Sequence, residues 1–364
     1  MQYVCDGRAI QAGLCKLADF GVFLLAANAT NVSKSKMATH AIGLRREDRL
    51  PINYPVLRTG YYCTFSAALG DFDYTGIVEF RNAYGELPGA QIAKLPFYGG
   101  LSIVYAVLGF LWAFLYVQNR QDILPVQNYI TATFVVLVLE MVMTWGYYDY
   151  MNRHGSNAGA KALMIVVSIL YAARNSLSFF LLLIVCMGYG VVKPTLGRTI
   201  IIVRGLAITH FVFGVIYAIA SLTVAPEDVG PLILLVVLPL VGTMTAFYVW
   251  TLNALGATMK DLMQRKQRVK AQMYRKLWWC ILSTIVVVFG FFFINSFIFA
   301  GLGDPDFTPN HWQTRWFVLD GWLNLVYLAD VAFIAYVWRP SANNRRFAMS
   351  DEVSFFLLGP TYRH

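Results

Sequence analysis

The stretch Leu163–Met187 constrains this chain more than any other. It is almost unbroken in apolar character and, at about 25 residues, long enough to cross a ~30 Å hydrocarbon layer as an α-helix. Its one formal charge, Arg174, lies near the middle. A cation at that depth costs roughly 3 kcal/mol or more. The arginine must therefore face protein or water and meet a partner, and the other segments are read as what surrounds and neutralises it.

Further apolar segments follow at roughly 95–117, 128–147, 200–222, 230–252, 277–300 and 316–337. Pro231 and Pro239 interrupt one of them, and Asp320, Asn324 and Asp330 another. The chain is 58% hydrophobic and only 13% charged, with mean hydropathy +0.55. Soluble domains carry about a quarter charged residues, so the expectation is a membrane-spanning all-α bundle of seven helices over residues 95–338. The net charge of +9 is spread unevenly. With the N-terminus outside the cytosol, the inner segments hold Arg120, Lys193, Arg198, the run Lys260–Lys276, Arg339, Arg345 and Arg346. The short outer loops hold only Arg153, Lys161 and Arg315. That asymmetry obeys the positive-inside rule and puts the tail, residues 339–364, in the cytosol. The basic excess is thus a topology signal, and no nucleic-acid partner is expected. Trp145, Trp312 and Trp316 at outer ends, with Trp278, Trp279 and Trp338 at inner ends, fit the aromatic belts.

Residues 1–94 differ in kind. Phe20–Ala26, Gly60–Ala67 and Gly76–Arg81 are short β-branched and aromatic runs separated by Gly, Pro, Asn and Asp, and are expected as strands of a luminal β domain. Leu14–Ala27 is likewise expected as strand. Asn28-Ala29-Thr30 and Asn31-Val32-Ser33 are glycosylation sequons, confined to the side assigned to the lumen. Cys5, Cys15 and Cys63 are disulfide candidates in an oxidising compartment, and three is odd, so one is left over. Cys186 and Cys280 are expected as packing residues. Met1–Ile10 contains Asp6 and Arg8 and no apolar core, so no signal peptide stands at residue 1. The luminal domain is expected to lack its start.

At a helical rise of ~1.5 Å per residue, Glu140, Arg174, His210 and Asp330 all fall within a turn or two of the bilayer midplane. The second and third segments are antiparallel neighbours, so Glu140 and Arg174 can pair. The four are candidates for one buried polar cavity or ion path, because intramembrane charges mark function. The alternative is a structural ion pair, with His210 and Asp330 satisfied locally. The inner stretch 253–276, with Met259, Leu262, Met263, Val269 and Met273 at near-helical spacing, is expected to extend the fifth and sixth helices beyond the membrane. It could meet anionic lipid or an acidic partner, or serve only to fix topology.

Several chemistries are set aside. Tyr148-Asp149 and Gly301-Leu302-Gly303-Asp304 resemble the acid pairs of intramembrane aspartyl proteases, but both acids fall at the luminal edge and no Pro-Ala-Leu triplet follows. No lysine stands between Trp316 and Trp338 to form a retinal Schiff base. His210 is the one histidine within a helix, where a b-type haem needs a pair. No phosphate loop or metal-spaced cluster occurs. No enzyme activity and no cofactor are expected.

Three stretches carry a family likeness: Leu95-Pro96-Phe97-Tyr98-Gly99, Lys161 through Pro194, and Trp338-Arg339-Pro340-Ser341-Ala342-Asn343-Asn344. Together with Tyr54-Pro55 and Thr59–Cys63, they make the chain resemble the lung seven-transmembrane receptor family, Golgi seven-helix proteins with a luminal GOLD-like β-sandwich, in a fungal style. The resemblance covers most of residues 5–352. It implies a Golgi or endosomal location, a role in membrane trafficking including endosome-to-Golgi retrograde transport, a lipid-accessible bundle cavity, and membrane lipid and secretory or membrane cargo as partners. It does not imply G-protein coupling: an Asp-Arg-Tyr motif is absent after the third helix, and Asn324-Leu325-Val326-Tyr327 lacks the usual proline. Residues Val353–His364 depart from the expected polar tail. A cargo or lipid escort is the leading expectation. A seven-helix receptor and an ion channel or proton-coupled transporter are the alternatives.

Overall fold

A computed structural model describes residues 5, 7–20, 76–223, 232–299, 312–314, 316–342 and 344, with isolated positions between 53 and 64. The chain divides into two compact units, residues 1–79 and residues 80–364.

In the first unit, helix α1 (Gly7–Gln11) is followed by a 3₁₀ turn at Leu17–Asp19. A disulfide joins Cys5 to Cys15 with a Cα–Cα distance of 6.0 Å. Ten residues of extended chain would reach about 33 Å, so the crosslink forces the chain back on itself, and Cys5 and Ala9 are fully buried. Two of the three candidate cysteines are thereby paired; Cys63 lies outside the described residues, as do Asn28 and Asn31. The strand expectations need correction where they can be read. Leu14–Phe20 is turn and 3₁₀ rather than strand. Gly76–Arg81, which runs across the unit boundary, is exposed coil with Ile77 99% exposed. Alternation alone does not make a strand: without a neighbour to pair with, the backbone gains nothing from extension. Among the described residues the only pairing nearby is the single bridge Asn82–Gly85. Most of the runs Phe20–Ala26 and Gly60–Ala67 lies outside the described residues.

The second unit is helical. After the short α2 (Gly89–Ile92) come α3 (Lys94–Gln118), α4 (Pro125–His154), α5 (Ala158–Cys186), α6 (Thr199–Thr223), α7 (Leu232–Gln264) and α8 (Arg268–Phe299). A π-helical turn (Phe317–Gly321) then leads directly into α9 (Trp322–Val337). Six helices are long and apolar enough to cross a membrane, and α9 is a shorter apolar helix of 16 residues. The π turn extends α9 to roughly the length a crossing needs, so the seven expected segments all appear as helix. Several helices overrun the apolar runs: α4 and α5 have 30 and 29 residues. Hydropathy marks only the part inside hydrocarbon, and polar ends such as Asn152–His154 continue the same helix at the interface.

Helices pack in sequence order, α3 on α4, α4 on α5, α5 on α6 and α7, α7 on α8, and α8 on α9. Burial is uneven. Leu137, Met141, Leu183 and Ile184 form a dense centre on α4 and α5. By contrast, no residue of α8 from Trp278 to Phe297 is buried. Segment 82–92 fastens onto the end of α4: Asn152 donates to the Tyr84 carbonyl at 2.8 Å, and Glu86 N–H donates to the Asn152 carbonyl at 2.9 Å. At the opposite end, Gln127 accepts from Leu124 N–H at 2.8 Å and donates to the Trp338 carbonyl at 3.0 Å. This anchors the Trp338–Ser341 run to the start of α4.

Helix ends carry their own logic. After α5, Gly188 takes φ +83° while Gly188 N–H bonds the Val185 carbonyl and Tyr189 N–H the Ile184 carbonyl. This is the paired hydrogen-bond pattern of a left-handed C-terminal stop. The same pattern closes α7, where Lys266 N–H bonds Met263 and Gln267 N–H bonds Leu262, but the left-handed residue, with φ +58°, is Lys266. The turn lets α7 and α8 run on past the apolar stretch, as expected for 253–276.

Candidate functional site

The third predicted segment does bring its arginine to a partner. On α5, Arg174 Nη1 lies 3.0 Å from Glu140 Oε1 on α4, with side chains only 7% and 4% exposed. The same Nη1 donates to Asn324 Oδ1 on α9 at 3.1 Å. The guanidinium also lies over the rings of Tyr171, at 4.6 Å, and Tyr327, at 4.9 Å, where the negative ring faces attract a cation. Helical spacing delivers these groups: Tyr171, Arg174 and Ser178 share one face of α5, and Asn324 and Tyr327 one face of α9. Ser178 and Tyr327 hydroxyls meet at 2.5 Å.

From Asn324 the network climbs toward the start of α3. Asn324 Nδ2 donates to Asp320 Oδ1 at 3.1 Å and to Tyr98 Oη at 3.4 Å. Tyr98 donates to Asp320 Oδ2 at 2.5 Å, and Lys94 Nζ lies 3.2 Å from the same oxygen. Tyr98 stacks on Tyr148 of α4, with centroids 5.7 Å apart and planes at 9°. Asp320 sits in the π turn, whose wider winding departs from the i+4 bonding of an ordinary helix. The result is a ladder of two acids and two bases, Glu140–Arg174–Asn324–Asp320–Lys94, that sums to zero charge and ties α3, α4, α5 and α9 together. Glu140 and Arg174, buried together, offset each other's loss of water, while Lys94 and Asp320 stay partly exposed. Around the central pair, Tyr105 Oη, Glu140 Oε2 and Arg174 Nε are buried and have no protein partner.

His210 and Asp330 do not join this network, and the expectation of one cavity shared by all four residues is corrected. On α6, His210 is 5% exposed and its Nδ1 lies 2.9 Å from Thr243 Oγ1 of α7. Because Thr243 donates to the Leu240 carbonyl, the histidine donates to Thr243. Its ring meets Phe179 edge to face. Asp330 faces α8, accepting from Thr284 Oγ1 at 2.7 Å and from Cys280 Sγ at 3.5 Å. Cys280 is thus a hydrogen-bond donor rather than a packing residue, whereas Cys186 is fully buried as expected. Helix rise puts the four near one depth, but they turn to different neighbours. Sequence gives depth through helix rise, while azimuth depends on how each helix turns toward its neighbours. Asp149 of the Tyr148-Asp149 pair is held by Arg153 at 3.0 Å, and Asp304 lies outside the described residues.

Reasoning from the sequence missed Lys94, Tyr98, Tyr105, Tyr171 and Tyr327. A signal was present for part of the set. Asp320, Asn324 and Tyr327 are spaced i, i+4, i+7, a polar stripe on an otherwise apolar helix. Tyr98 lies within the Leu95–Gly99 run, whose neighbouring residues are also fixed by packing. Phe97 meets Trp316 edge to face, and a Cβ on Gly99 would approach the Trp145 ring to 3.2 Å.

Comparison with known proteins gives a consistent result. Residues 93–345 match the family described as "GOST, seven transmembrane domain", and residues 1–82 match "PTM1-like, N-terminal domain". Membrane protein PTM1 of Saccharomyces cerevisiae (strain YJM789) is 33% identical, over 97% of this chain and 69% of its own length. Transmembrane protein 87A of Xenopus tropicalis is 28% identical, over 77% of this chain and 52% of its own length. Transmembrane protein 87B of Homo sapiens is 26% identical, over 76% of this chain and 49% of its own length.

Proposed function

Because the chain belongs to the GOST seven-transmembrane family, the lung seven-transmembrane receptor group that includes PTM1 and the transmembrane 87 proteins, we propose that it is a non-enzymatic escort in Golgi or endosomal membranes. In this reading it carries secretory or membrane cargo, or its lipid moiety, during trafficking that includes retrieval from endosomes. The N-terminal unit faces the lumen, is completed as a GOLD-like β-sandwich, and meets cargo. The tail faces the cytosol.

The observation that carries the reading is the mechanical asymmetry of the bundle. Helices α3, α4, α5 and α9 are crosslinked by the polar ladder and a dense core. Helices α6 and α7 also pack on α5 and on each other, whereas α8 buries no residue from Trp278 to Phe297 and presents Phe289, Phe292, Phe293 and Phe297 outward. A bundle braced on one side and loose along α8 can admit an acyl chain beside that helix while keeping its shape. The pairwise neutralisation of the buried charges favours a binding protein over an open ion path.

The test is capture and retrieval. The full chain is crosslinked in Golgi-enriched membranes, purified and analysed for bound proteins and lipids beside an unrelated seven-helix Golgi protein. Enriched cargo, with slowed endosome-to-Golgi retrieval of that cargo on depletion, is the expected result. Undisturbed retrieval and no enrichment would reject the escort. Reconstituted currents that vanish in Asp330→Asn would put a transporter in its place.

A further inference from the structure

The turn joining α7 to α8 has a feature that the escort reading does not use. An open groove of about 820 Å³ runs along the ends of the two helices, lined by Leu252, Gly256, Met259, Lys260, Met263 and Trp278. Its wall changes character along its length. Leu252 and Trp278 are apolar or amphipathic, and about two to three turns further on from Leu252 the polar Lys260 and Gln264 join Met259 and Met263 in the wall. Between Leu252 and Gln264 the helix rises about 18 Å, comparable to a phospholipid headgroup with the upper part of its chains. Trp278 and Trp279 stand at the level where aromatic side chains favour the membrane–water boundary. The groove therefore straddles that boundary.

The charge around it is one-sided. From Thr251 to Cys280 the sequence holds seven Lys and Arg and a single acid, Asp261. That acid is already engaged by Arg265 at 2.9 Å. Lys260 is exposed and makes no ion pair among the described residues, and Arg275 and Lys276 are exposed nearby. A neutral lipid would gain nothing from this arrangement, and an acidic peptide would have no use for the apolar half.

We propose that this groove is a binding site for one anionic phospholipid, with its chains along Leu252, Met259 and Trp278 and its headgroup on Lys260 and Gln264. The site lies outside the braced half of the bundle and does not depend on the escort reading. It would make the protein sensitive to the anionic lipid content of the leaflet it faces, and so able to distinguish one compartment's membrane from another's.

Gly256 supplies a clean test, because a Cβ there meets nothing within 4 Å. A side chain at that position enters the groove, with its Cβ in open space. The full-length chain, purified in detergent, is titrated with dioleoylphosphatidylserine and with dioleoylphosphatidylcholine, and binding is read by native mass spectrometry. The expected result is phosphatidylserine held at least about five-fold more tightly, the effect of one basic contact near a membrane surface. Lys260→Gln should bring that ratio close to one. Gly256→Phe should weaken the first phosphatidylserine site, and Lys193→Gln should leave it unchanged, with all three variants melting like the parent. Equal affinity for the two lipids, or a phosphatidylserine preference that survives both groove variants, overturns the proposal. So does Lys260-dependent binding of a fluorescein-labelled polyglutamate peptide in place of phosphatidylserine, which would make the groove a protein-docking face.

Discussion

Arg174 is the residue on which the interior turns. Removing it leaves Glu140 buried without its cation and Asn324 without its donor. Breaking one side of a buried pair costs about 3–5 kcal/mol, so Arg174→Ala should lower the melting temperature sharply in detergent micelles. The double variant Glu140→Gln/Arg174→Gln should recover much of that loss, because no charge is then stranded. Equal melting of the single and double variants would show that the two do not act as a pair. Tyr98→Phe should be milder, at about 1 kcal/mol, since it removes one neutral donor while Lys94 and Asn324 still hold Asp320. The need for a partner at Arg174 is legible from its depth alone. That the partner set includes two tyrosines and an asparagine is not, because tyrosine is common in apolar helices and carries no charge to mark it.

At the scale of the element, the helix ends offer sharper tests than the helix middles. Two left-handed stops of the same pattern close α5 and α7, one at Gly188 and the other at Lys266. A non-glycine residue in that conformation costs about 1 kcal/mol. Lys266→Gly should therefore raise the unfolding midpoint, and Gly188→Ala should lower it by more, because a Cβ at Gly188 would approach Val192 to 2.8 Å. Gly155, which ends α4, has φ 64° and ψ −164°, a region reserved for glycine at a cost of about 1–3 kcal/mol for other residues. Gly155→Ala should destabilise accordingly, read by the same melting assay. Of these stops, Gly188 can be suspected from glycine after an apolar run and Gly155 from glycine after the basic Arg153-His154, whereas Lys266 cannot. The strand expectation for Gly76–Arg81 failed at this scale as well, because alternation is a local signal and a strand requires a partner supplied by another part of the chain.

For the whole molecule, the basic asymmetry predicts which side each loop faces. In sealed Golgi vesicles, a cysteine-free background carrying Lys266→Cys should react with an impermeant maleimide without permeabilisation. Asn28 and Asn31 should carry glycans, seen as a glycosidase-sensitive shift that Asn28→Gln/Asn31→Gln abolishes. Labelling only after permeabilisation, with no glycan, would reverse the proposed orientation. The division of the bundle into a braced and a loose half is also a property of the whole. It arises because α4 and α5 are buried on several faces, whereas α8 packs chiefly on α7 and α9 and, from Trp278 to Phe297, buries no residue.

By itself the sequence determined the number, order and approximate span of the apolar helices and the position of Glu140, Arg174, His210 and Asp330 along them. Hydrophobicity adds up residue by residue along a segment, and helix rise converts residue number into height without reference to any other segment. Only the tertiary structure decided which charges met. Arg174 and Asn324 are separated by 150 residues, and Tyr98 and Asp320 by 222. Their contact depends on the rotation of each helix about its own axis, set by close packing against neighbours and, at Asp320, by one π turn. His210 and Asp330 lie near the same depth and were rotated to different partners.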